Sequence, residues 1–318
     1  MESKQKDIDL PAADDNERVI IEDARIEQRT LTGERAAYMA HDSSFVNATF
    51  EDGESPLKHS RNITLENASF KWKYPLWHSS DVMMKDCTIF GTGRAGIWYT
   101  DKITLDGVVI EAPKEFRRCH DITLSDVQFA NAAETLWHCD GVTMRGVYAK
   151  GEYFAMNSSN MKIDRLTLVG NYPFDGVRNV EVSDSKLISK DAFWNSDNIT
   201  IRDSYISGEY FGWNSRNITL INCTVESLQG FCYIQNLVMK NCVLVNTNLA
   251  FEYSTVDVEV TSRIDSVKNP LGGTIRAKEI GEIILDETKV DITKTRIITG
   301  ADCGTSPAPH GSNGRRCA

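Results

Sequence analysis

The sequence predicts an all-β protein, a right-handed parallel β-helix of about 12 coils, because three observations agree. A short pattern recurs with a period of about 19 residues along most of the chain. Apolar and polar residues alternate within each copy, and an Asn, Asp or Gly usually follows the alternating stretch. The clear copies are anchored at Asn62, Asp81, Lys102, Asp121, Gly141, Asn160, Asn179, Asn198, Asn217 and Asn236.

Each position of the repeat has its own chemistry. The residues one and three after the anchor are apolar, as in Ile103 and Leu105, and a residue such as Thr104 separates them. Alternation with period two is typical of a strand that is buried on one face. Five after the anchor stand residues such as Asn67 and Asp86, whose types tolerate left-handed backbone. They predict a sharp turn, and a further apolar column eight after the anchor predicts a second strand.

The length of the repeat favours a solenoid over other repeat folds. Three short strands fit into each copy, whereas a strand–helix–strand unit needs roughly 30 residues and a propeller blade about 40. A chain that coils and stacks equivalent positions satisfies this length, and parallel crossovers are right-handed in nearly all proteins. The sequence therefore predicts one β-helix domain over residues 18–299.

The two ends of the chain have a different composition. Residues 1–17 are polar and acidic, and residues 300–318 are rich in Gly, Ser and Pro, so both segments are predicted to be disordered. The exposed first coil of a rod needs a cover. The stretch TLTGERAAYMAH, residues 30–41, is expected to supply it as a short helical cap.

Composition excludes several classes of function. The chain of 318 residues carries a net charge of −10, which argues against a general nucleic-acid or anionic-membrane binder. It has no apolar run long enough to span a bilayer and no apolar leader near Met1, so a cytoplasmic location is expected. The sequence has no dinucleotide, phosphate-loop or calcium-loop motif, and no cofactor is expected.

The cysteines do not predict a metal site or a disulfide framework. Eight Cys in this length are sparse, and no CxxC or HxxxH motif occurs. Cys119 and Cys139 occupy the same position in adjacent coils, two before the anchor. The interpretation that we favour is that they are reduced core residues, with disulfides or metal ligation as the alternatives.

Five of the six Trp fall in one column, four residues before the anchor. Because its neighbour five before the anchor is apolar, alternation turns the Trp column outward. The column three before the anchor carries hydrogen-bonding and aromatic side chains. Flat aromatic faces beside polar groups are typical of sugar-binding surfaces. The candidate substrate-binding residues are Trp77, His78, Trp98, Tyr99, Trp137, Asn157, Trp194 and Trp213.

A mixed charged cluster near the middle of the rod supplies the candidate catalytic residues, Arg117, Arg118, Glu134, His138 and Asp175. A uronate lyase needs cations to neutralise a carboxylate and a base to take a proton, and the two arginines and His138 suit these roles. A hydrolase instead needs two carboxylates, and Glu134 and Asp175 lie about two coils apart, ~10 Å. The alternative is that these residues form a surface ion-pair network.

The motifs of the chain resemble those of an uncharacterised bacterial family of β-helix proteins, a domain of unknown function within the pectin-lyase-like superfold. The matching strings include LTGERA (31–36), WKYPLW (72–77), RAGIWY (94–99), APKEFRR (112–118), KDAFWN (190–195) and GEYFGWNS (208–215). This resemblance implies the fold and supplies no activity. The catalytic motifs of polygalacturonases and calcium pectate lyases are missing.

Two functions follow from the aromatic column. The first is binding or cleavage of a carbohydrate, by a polysaccharide lyase or glycoside hydrolase, on the Trp-, His- and Arg-lined face. The second is a non-catalytic role in which the Trp ladder is an interface with a partner or between copies of a homo-oligomer. An open groove beside the Trp column would favour the first, and a covered ladder the second.

Overall fold

The computed structural model describes residues 20–300, which wind into a parallel β-solenoid of about 14 turns. One side of the rod is a sheet of long strands, called here the long-strand sheet. Its strands are β1 (Arg25–Glu27), β3 (His41–Val46), β5 (Arg61–Glu66), β8 (Ser80–Lys85), β11 (Asp101–Asp106), β13 (His120–Ser125), β15 (Asp140–Arg145), β17 (Ser159–Asp164), β19 (Arg178–Ser183), β21 (Asp197–Arg202), β23 (Arg216–Ile221), β25 (Gln235–Val245), β26 (Thr255–Lys268), β27 (Gly272–Ile284) and β28 (Thr295–Thr299).

A second sheet of shorter strands lies around the corner of each coil. Its strands are β2 (Thr30–Thr32), β4 (Thr49–Glu51), β6 (Ser69–Phe70), β9 (Thr88–Ile89), β12 (Val109–Ile110), β14 (Gln128–Phe129), β16 (Tyr148–Lys150), β18 (Thr167–Val169), β20 (Lys186–Ile188), β22 (Tyr205–Gly208) and β24 (Thr224–Ser227). The third side is built mostly from turns, with one short pair, β7 (Leu76–Trp77) and β10 (Ile97–Trp98).

The register of the long-strand sheet confirms the predicted columns. Ile103 pairs with Ile122 and Leu105 with Leu124 in parallel strands, and all four side chains are buried. Thr104, between the two apolar positions of its strand, is only partly buried. The alternation therefore places the branched apolar residues in the core and the Thr column at the surface.

The core of the second half of the rod is a ladder of phenylalanines, one from each coil. Phe174 stacks on Phe193 with ring centroids 4.7 Å apart, and the ladder continues through Phe211, Phe231 and Phe251. Each of these side chains is buried. Burial of one such ring contributes about 1.5–3 kcal/mol, so the ladder supplies much of the force that holds the coils together.

The anchors take left-handed backbone, which explains their residue types. Asn160, Asn179 and Asn198 have φ of 55°, 55° and 60°. The side-chain amide of Asn179 donates to Asn160 Oδ1 at 3.1 Å, and that of Asn198 donates to Asn179 Oδ1 at 2.9 Å. Asn tolerates this conformation and adds one hydrogen bond per coil along the rod axis.

The structure corrects the helical cap that the sequence predicts near residues 30–41. Thr30–Thr32 forms β2, which pairs with β4, and turns follow over residues 34–39. Leu31 lies beside Phe50 and is buried like it, because this stretch follows the path of the other coils. Within residues 20–300 the one helical segment is a 3₁₀ turn at Ile292–Lys294.

The weak repeats at both ends also form coils, which is why the rod has about 14 turns where about 12 are predicted. The predicted disordered segments, 1–17 and 301–318, lie outside the described residues. Cys119 and Cys139 are buried and free, and their thiols donate to backbone carbonyls of the preceding coil. Burial raises the pKa of the Cys119 thiol, which suits an inert core residue.

Candidate functional site

The predicted site residues lie on the third side of the rod, where turns replace most strands. The residue three before each anchor takes left-handed backbone, with φ of 55° at His78, 53° at Arg118 and 55° at His138. The residue before it pairs with its equivalents on neighbouring coils, as Arg117 does with Trp98 and Trp137. Each coil therefore contributes one half-buried side chain and one exposed side chain to this edge.

The half-buried column is a stack in which rings cover one another. Trp77 lies on Trp98 with ring centroids 5.2 Å apart and an angle of 6° between the planes. The Arg117 guanidinium lies 4.7 Å from the ring centroids of both Trp98 and Trp137. Each of these faces is already in contact with a neighbour, so a sugar ring cannot stack on it.

The indole N–H groups are also satisfied inside the protein. Trp98 Nε1 donates to the Lys114 carbonyl at 2.8 Å, and Trp137 Nε1 donates to the Tyr153 carbonyl at 2.6 Å. Trp77 and Trp194 make equivalent bonds to the next coil. Each bond ties one coil to its successor, so this column stiffens the edge of the rod.

The Trp column is interrupted in the middle. Met156 and Asp175 take the places of two indoles between Trp137 and Trp194. Beyond this break Trp194 and Trp213 pack less regularly, with centroids 6.1 Å apart and planes at 36°. The edge therefore has two aromatic segments and is not one continuous row.

The exposed column beside the first segment carries groups that can be cationic. We call its residues, His59, His78, Tyr99, Arg118 and His138, the basic strip. His59 stacks on His78 with centroids 5.1 Å apart, and His78 stacks on Tyr99 with centroids 4.7 Å apart. All five side chains are exposed. The strip lies in line with the rod axis, one residue per coil.

The cationic groups of the strip have no acidic partner. In the part of the chain that the structure describes, the imidazoles that face a carboxylate are those of His41 and His120. His59, His78, His138 and Arg118 make no ion pair within residues 20–300. This row of basic groups without an acidic partner contrasts with the net charge of −10 of the whole chain.

Three of the predicted catalytic residues have partners within the protein. Arg117 pairs with Glu134 at 3.2 Å, and Lys114 pairs with the same carboxylate at 3.2 Å. Asp175 accepts a hydrogen bond from the Asn195 amide at 2.9 Å, on the following coil. Arg118 and His138 belong to the basic strip. The structure thus brings Arg117 and Glu134 together as an ion pair.

Asn157 follows His138 in the exposed column. A Cβ at Gly176 would collide with Asn157 Oδ1, so this amide fills the space above the glycine of the next coil. Asn214 then donates to Asn195 Oδ1 at 2.8 Å. In the second half of the column, Asn195 and Asn214 bond each other, and Asn195 also bonds Asp175.

Sequence reasoning missed His59, although it stands three before the anchor Asn62 and therefore belongs to the same column. It also missed two buried carboxyl groups. Glu115 accepts a hydrogen bond from the Gly96 N–H at 3.0 Å, and its other oxygen has no partner among residues 20–300. Burial raises its pKa well above the ordinary value. Burial also raises the pKa of Asp191, whose carboxylate bonds the Tyr172 hydroxyl.

Two shallow hollows lie on a different face, over the long-strand sheet. The larger, of about 530 Å³, runs between the Asn anchors and the Thr column, with Lys162 and Glu181 at its centre. The smaller, of about 360 Å³, lies on the other side of these two charged residues. Neither contains a residue of the Trp column or the basic strip.

The described residues hold no group of three or more His, Cys, Asp or Glu side chains that could bind a metal ion. In residues 20–300 no helix has the length and apolar character needed to cross a membrane.

The winding and the stacked columns define the protein as a parallel β-solenoid, one edge of which carries exposed basic side chains. The chain belongs to the DUF3737 family, described as proteins of unknown function, whose profile matches residues 24–298. This membership confirms the family that the sequence motifs resemble. No curated protein matches the chain.

Three solved structures illustrate what the chain resembles. A surface adhesin of Streptococcus pneumoniae, PfbA, is 10% identical with a TM-score of 0.37, over 81% of this chain and 84% of that one. The A-module of a mannuronan C-5 epimerase from Azotobacter vinelandii is 10% identical with a TM-score of 0.31, over 92% and 90%. A tailspike of E. coli bacteriophage HK620 is 11% identical with a TM-score of 0.31, over 89% and 67%.

Proposed function

We propose that the protein binds an extended, acidic carbohydrate along the basic strip and does not cleave it. The observation that carries this proposal is the row of exposed, unpaired side chains from His59 to His138. Imidazole and guanidinium groups bind carboxylates through charge-assisted hydrogen bonds. A phenol such as Tyr99, and the second nitrogen of each imidazole, can bond sugar hydroxyls.

The length of the strip fits a polymer better than a single sugar. Its five residues lie on successive coils, which are about 4.8 Å apart, so the row extends over roughly 19 Å. A linear chain of acidic sugars laid parallel to the rod axis can contact several of these side chains at once. The rest of the surface carries excess negative charge and repels such a polymer, which favours this one edge.

The Trp column supports the strip. Trp77, Trp98 and Trp137 are locked by stacking and by their N–H bonds, so the backbone that carries His78, Tyr99 and His138 is held rigid. Rigid side-chain positions reduce the entropy that is lost on binding. The predicted substrate-binding role of the indoles thus becomes a positioning role, and contact with the ligand falls to the neighbouring column.

Binding without cleavage is favoured by the state of the acidic residues. Glu134 is neutralised by two cations, and Asp175 is held by Asn195. Hydrolysis needs an acid and a base at a set separation on either side of the bond, and neither carboxylate is free for that role. The cytoplasmic location inferred from the sequence stays a prediction.

The experiment is calorimetry with uronic-acid oligosaccharides and their carboxyl-reduced, neutral counterparts. We expect the acidic series to bind and Arg118→Gln to weaken binding by about 1.5–3 kcal/mol, the value of a hydrogen bond to a charged group. Arg145→Gln is the matched control, because Arg145 faces Asp164 on the long-strand sheet. The proposal would be refuted if Arg118→Gln and Arg145→Gln lost equal affinity. It would also be refuted if neither the acidic nor the neutral oligosaccharides bound. Release of shorter products would refute its non-catalytic part.

Self-association through the aromatic edge is a second candidate. It is favoured by the ladder Trp213, Tyr233 and Tyr253, with centroid separations of 4.7 and 5.4 Å, in which Tyr233 is 40% exposed. Sedimentation velocity separates the two functions, since a protein that stays monomeric at micromolar concentration has no such interface.

A further inference from the structure

His59 and His78 form an unusual pair at the start of the basic strip. Their rings are nearly parallel, at 17°, with centroids 5.1 Å apart. Tyr38 meets the His59 ring edge-on at 5.7 Å, and Tyr99 covers the other face of His78 at 4.7 Å. Two imidazoles are thus held one above the other between two phenols.

The charges that face this pair are positive. Lys58 lies over Trp77 beside His59, and Arg35 lies over Tyr38. Arg35 has a carboxylate neighbour in Glu34, at 3.3 Å, whereas Lys58 makes no ion pair among the described residues. Protonation of both imidazoles would therefore place several like charges within a few ångströms of one another.

Burial and the nearby charges of His78, Lys58 and Arg35 together lower the pKa of His59. His59 is accordingly neutral in the free protein at pH 7, since the ordinary pKa of the group is 6.5. Two other histidines of the described chain have a different setting. His120 faces Asp101 at 2.7 Å, and His41 faces Asp42 at 2.9 Å, so a carboxylate is already in place beside each.

We propose, on the premise of the acidic-carbohydrate binding above, that the His59–His78 stack couples ligand binding to proton uptake. An acidic sugar seated on this end of the strip supplies the carboxylate that the protein does not. The stack then takes up a proton that it does not carry in the free protein at pH 7. The resulting imidazolium donates its N–H to the ligand. By linkage, affinity rises as pH falls from 7.5 towards 6, by at most about tenfold per pH unit for each proton coupled.

The test is calorimetry of the full chain with tetragalacturonate at pH 7.0, in two buffers of different ionisation enthalpy. We expect net proton uptake on binding and an affinity at pH 6.0 at least severalfold higher than at pH 7.5. His59→Gln should abolish most of the uptake and of the pH dependence while weaker binding remains. His120→Gln should change neither, because that imidazole is already paired.

The failure of this inference can be distinguished from the failure of the proposed function. Binding at every pH without proton uptake, or uptake that persists in His59→Gln, overturns the coupling and leaves carbohydrate binding intact. No binding at either pH overturns both. An NMR titration of the free wild-type protein is the second measurement: it should give His59 a midpoint below 6.5, the ordinary pKa of the group, and a midpoint above that value contradicts the proposal.

Discussion

The two halves of the exposed column on the third side have the same backbone conformation but differ in the partners of their side chains. His59 to His138 and Asn157 to Asn214 occupy the same place in the repeat, and both halves stand on left-handed turns. In the second half, Asn214 bonds Asn195 and Asn195 bonds Asp175, so polar groups satisfy one another along the rod. In the first half the basic groups stack or stand alone and have no acidic partner within the described residues.

This difference in side-chain partners suggests different roles for the two halves. An amide ladder repeated along a solenoid gains one hydrogen bond per coil and leaves little for a ligand. The basic groups of the strip gain no such hydrogen bond from one another, and those that are protonated repel at this spacing. Under the proposed function, the groups of the first half interact with a ligand, whereas those of the second half strengthen the rod. Three pairs of substitutions test this contrast, from the largest expected effect to the smallest.

The first aromatic segment, which contains Trp98, should contribute more to stability than the second, which contains Trp213. Trp98→Ala removes a half-buried ring that packs on both Trp77 and Arg117 and bonds the Lys114 carbonyl. Full truncation of a buried Trp costs about 3–5 kcal/mol, so we expect about 2–3 kcal/mol for this half-buried one. Urea unfolding followed by circular dichroism measures it.

Trp213→Ala is the matched variant in the second segment. Its ring also packs on neighbouring rings, Trp194 and Tyr233 among them, but tilted at 36° and 49°. Its indole N–H has no bond among residues 20–300, so a smaller loss of stability is expected. Equal losses in the free energy of unfolding for the two variants would show that the two aromatic segments do not differ in rigidity.

The interiors of the two halves also differ, because each holds a buried carboxyl group in a different setting. Glu115, below the first half, has a raised pKa and no cation beside it, whereas the charge of Lys190 opposes the effect of burial on Asp191 in the second. A carboxyl group whose pKa is raised on folding keeps its proton in the folded state after the unfolded chain has lost it. Stability therefore falls as pH rises above about 4.5, by at most about 1.4 kcal/mol per pH unit.

Glu115→Gln should remove that pH dependence, because an amide mimics the protonated acid and has no proton to lose. We expect the variant to be more stable than the wild type at pH 7 and similar to it near pH 4. Asp191→Asn should flatten the curve less. Thermal unfolding between pH 4 and 8 gives the stability of the wild type and both variants at each pH. A stability difference between Glu115→Gln and the wild type that does not grow with pH would contradict the assignment.

How far the sequence reveals these features depends on the kind of feature. Period-two alternation and the 19-residue repeat predict which side of the backbone a residue faces, and Ile103, Thr104 and Leu105 are placed as predicted. The alternation cannot predict the orientation of a ring plane. The indole of Trp98 does leave the core, but its two faces point towards the preceding and following coils. Trp77 and Arg117 cover them there.

Two further features escape the pattern for physical reasons. Residues 30–41 contain good helix formers, but the chain there continues the coil because Leu31 gains burial beside Phe50. Glu115 is a charged residue in the core, and its carboxyl group fits only because Gly96 on the preceding coil has no side chain in the way. Tertiary packing between residues of different coils decides both, and the local residue pattern does not show such contacts.

The smallest expected effect compares one residue from each half of the exposed column. Asn195→Ala removes the amide that donates to Asp175 and accepts from Asn214, so two hydrogen bonds are lost. At about 0.5–1.5 kcal/mol for each bond, and with water replacing part of the loss at an exposed site, we expect about 1 kcal/mol of destabilisation. Arg118→Ala removes a side chain without an ion pair in residues 20–300 and should change stability by less than about 0.5 kcal/mol. Urea unfolding of both variants under one set of conditions makes the comparison. If Arg118→Ala proves the more destabilising, the basic strip is part of the framework of the rod, and the contrast between a functional half and a structural half does not hold.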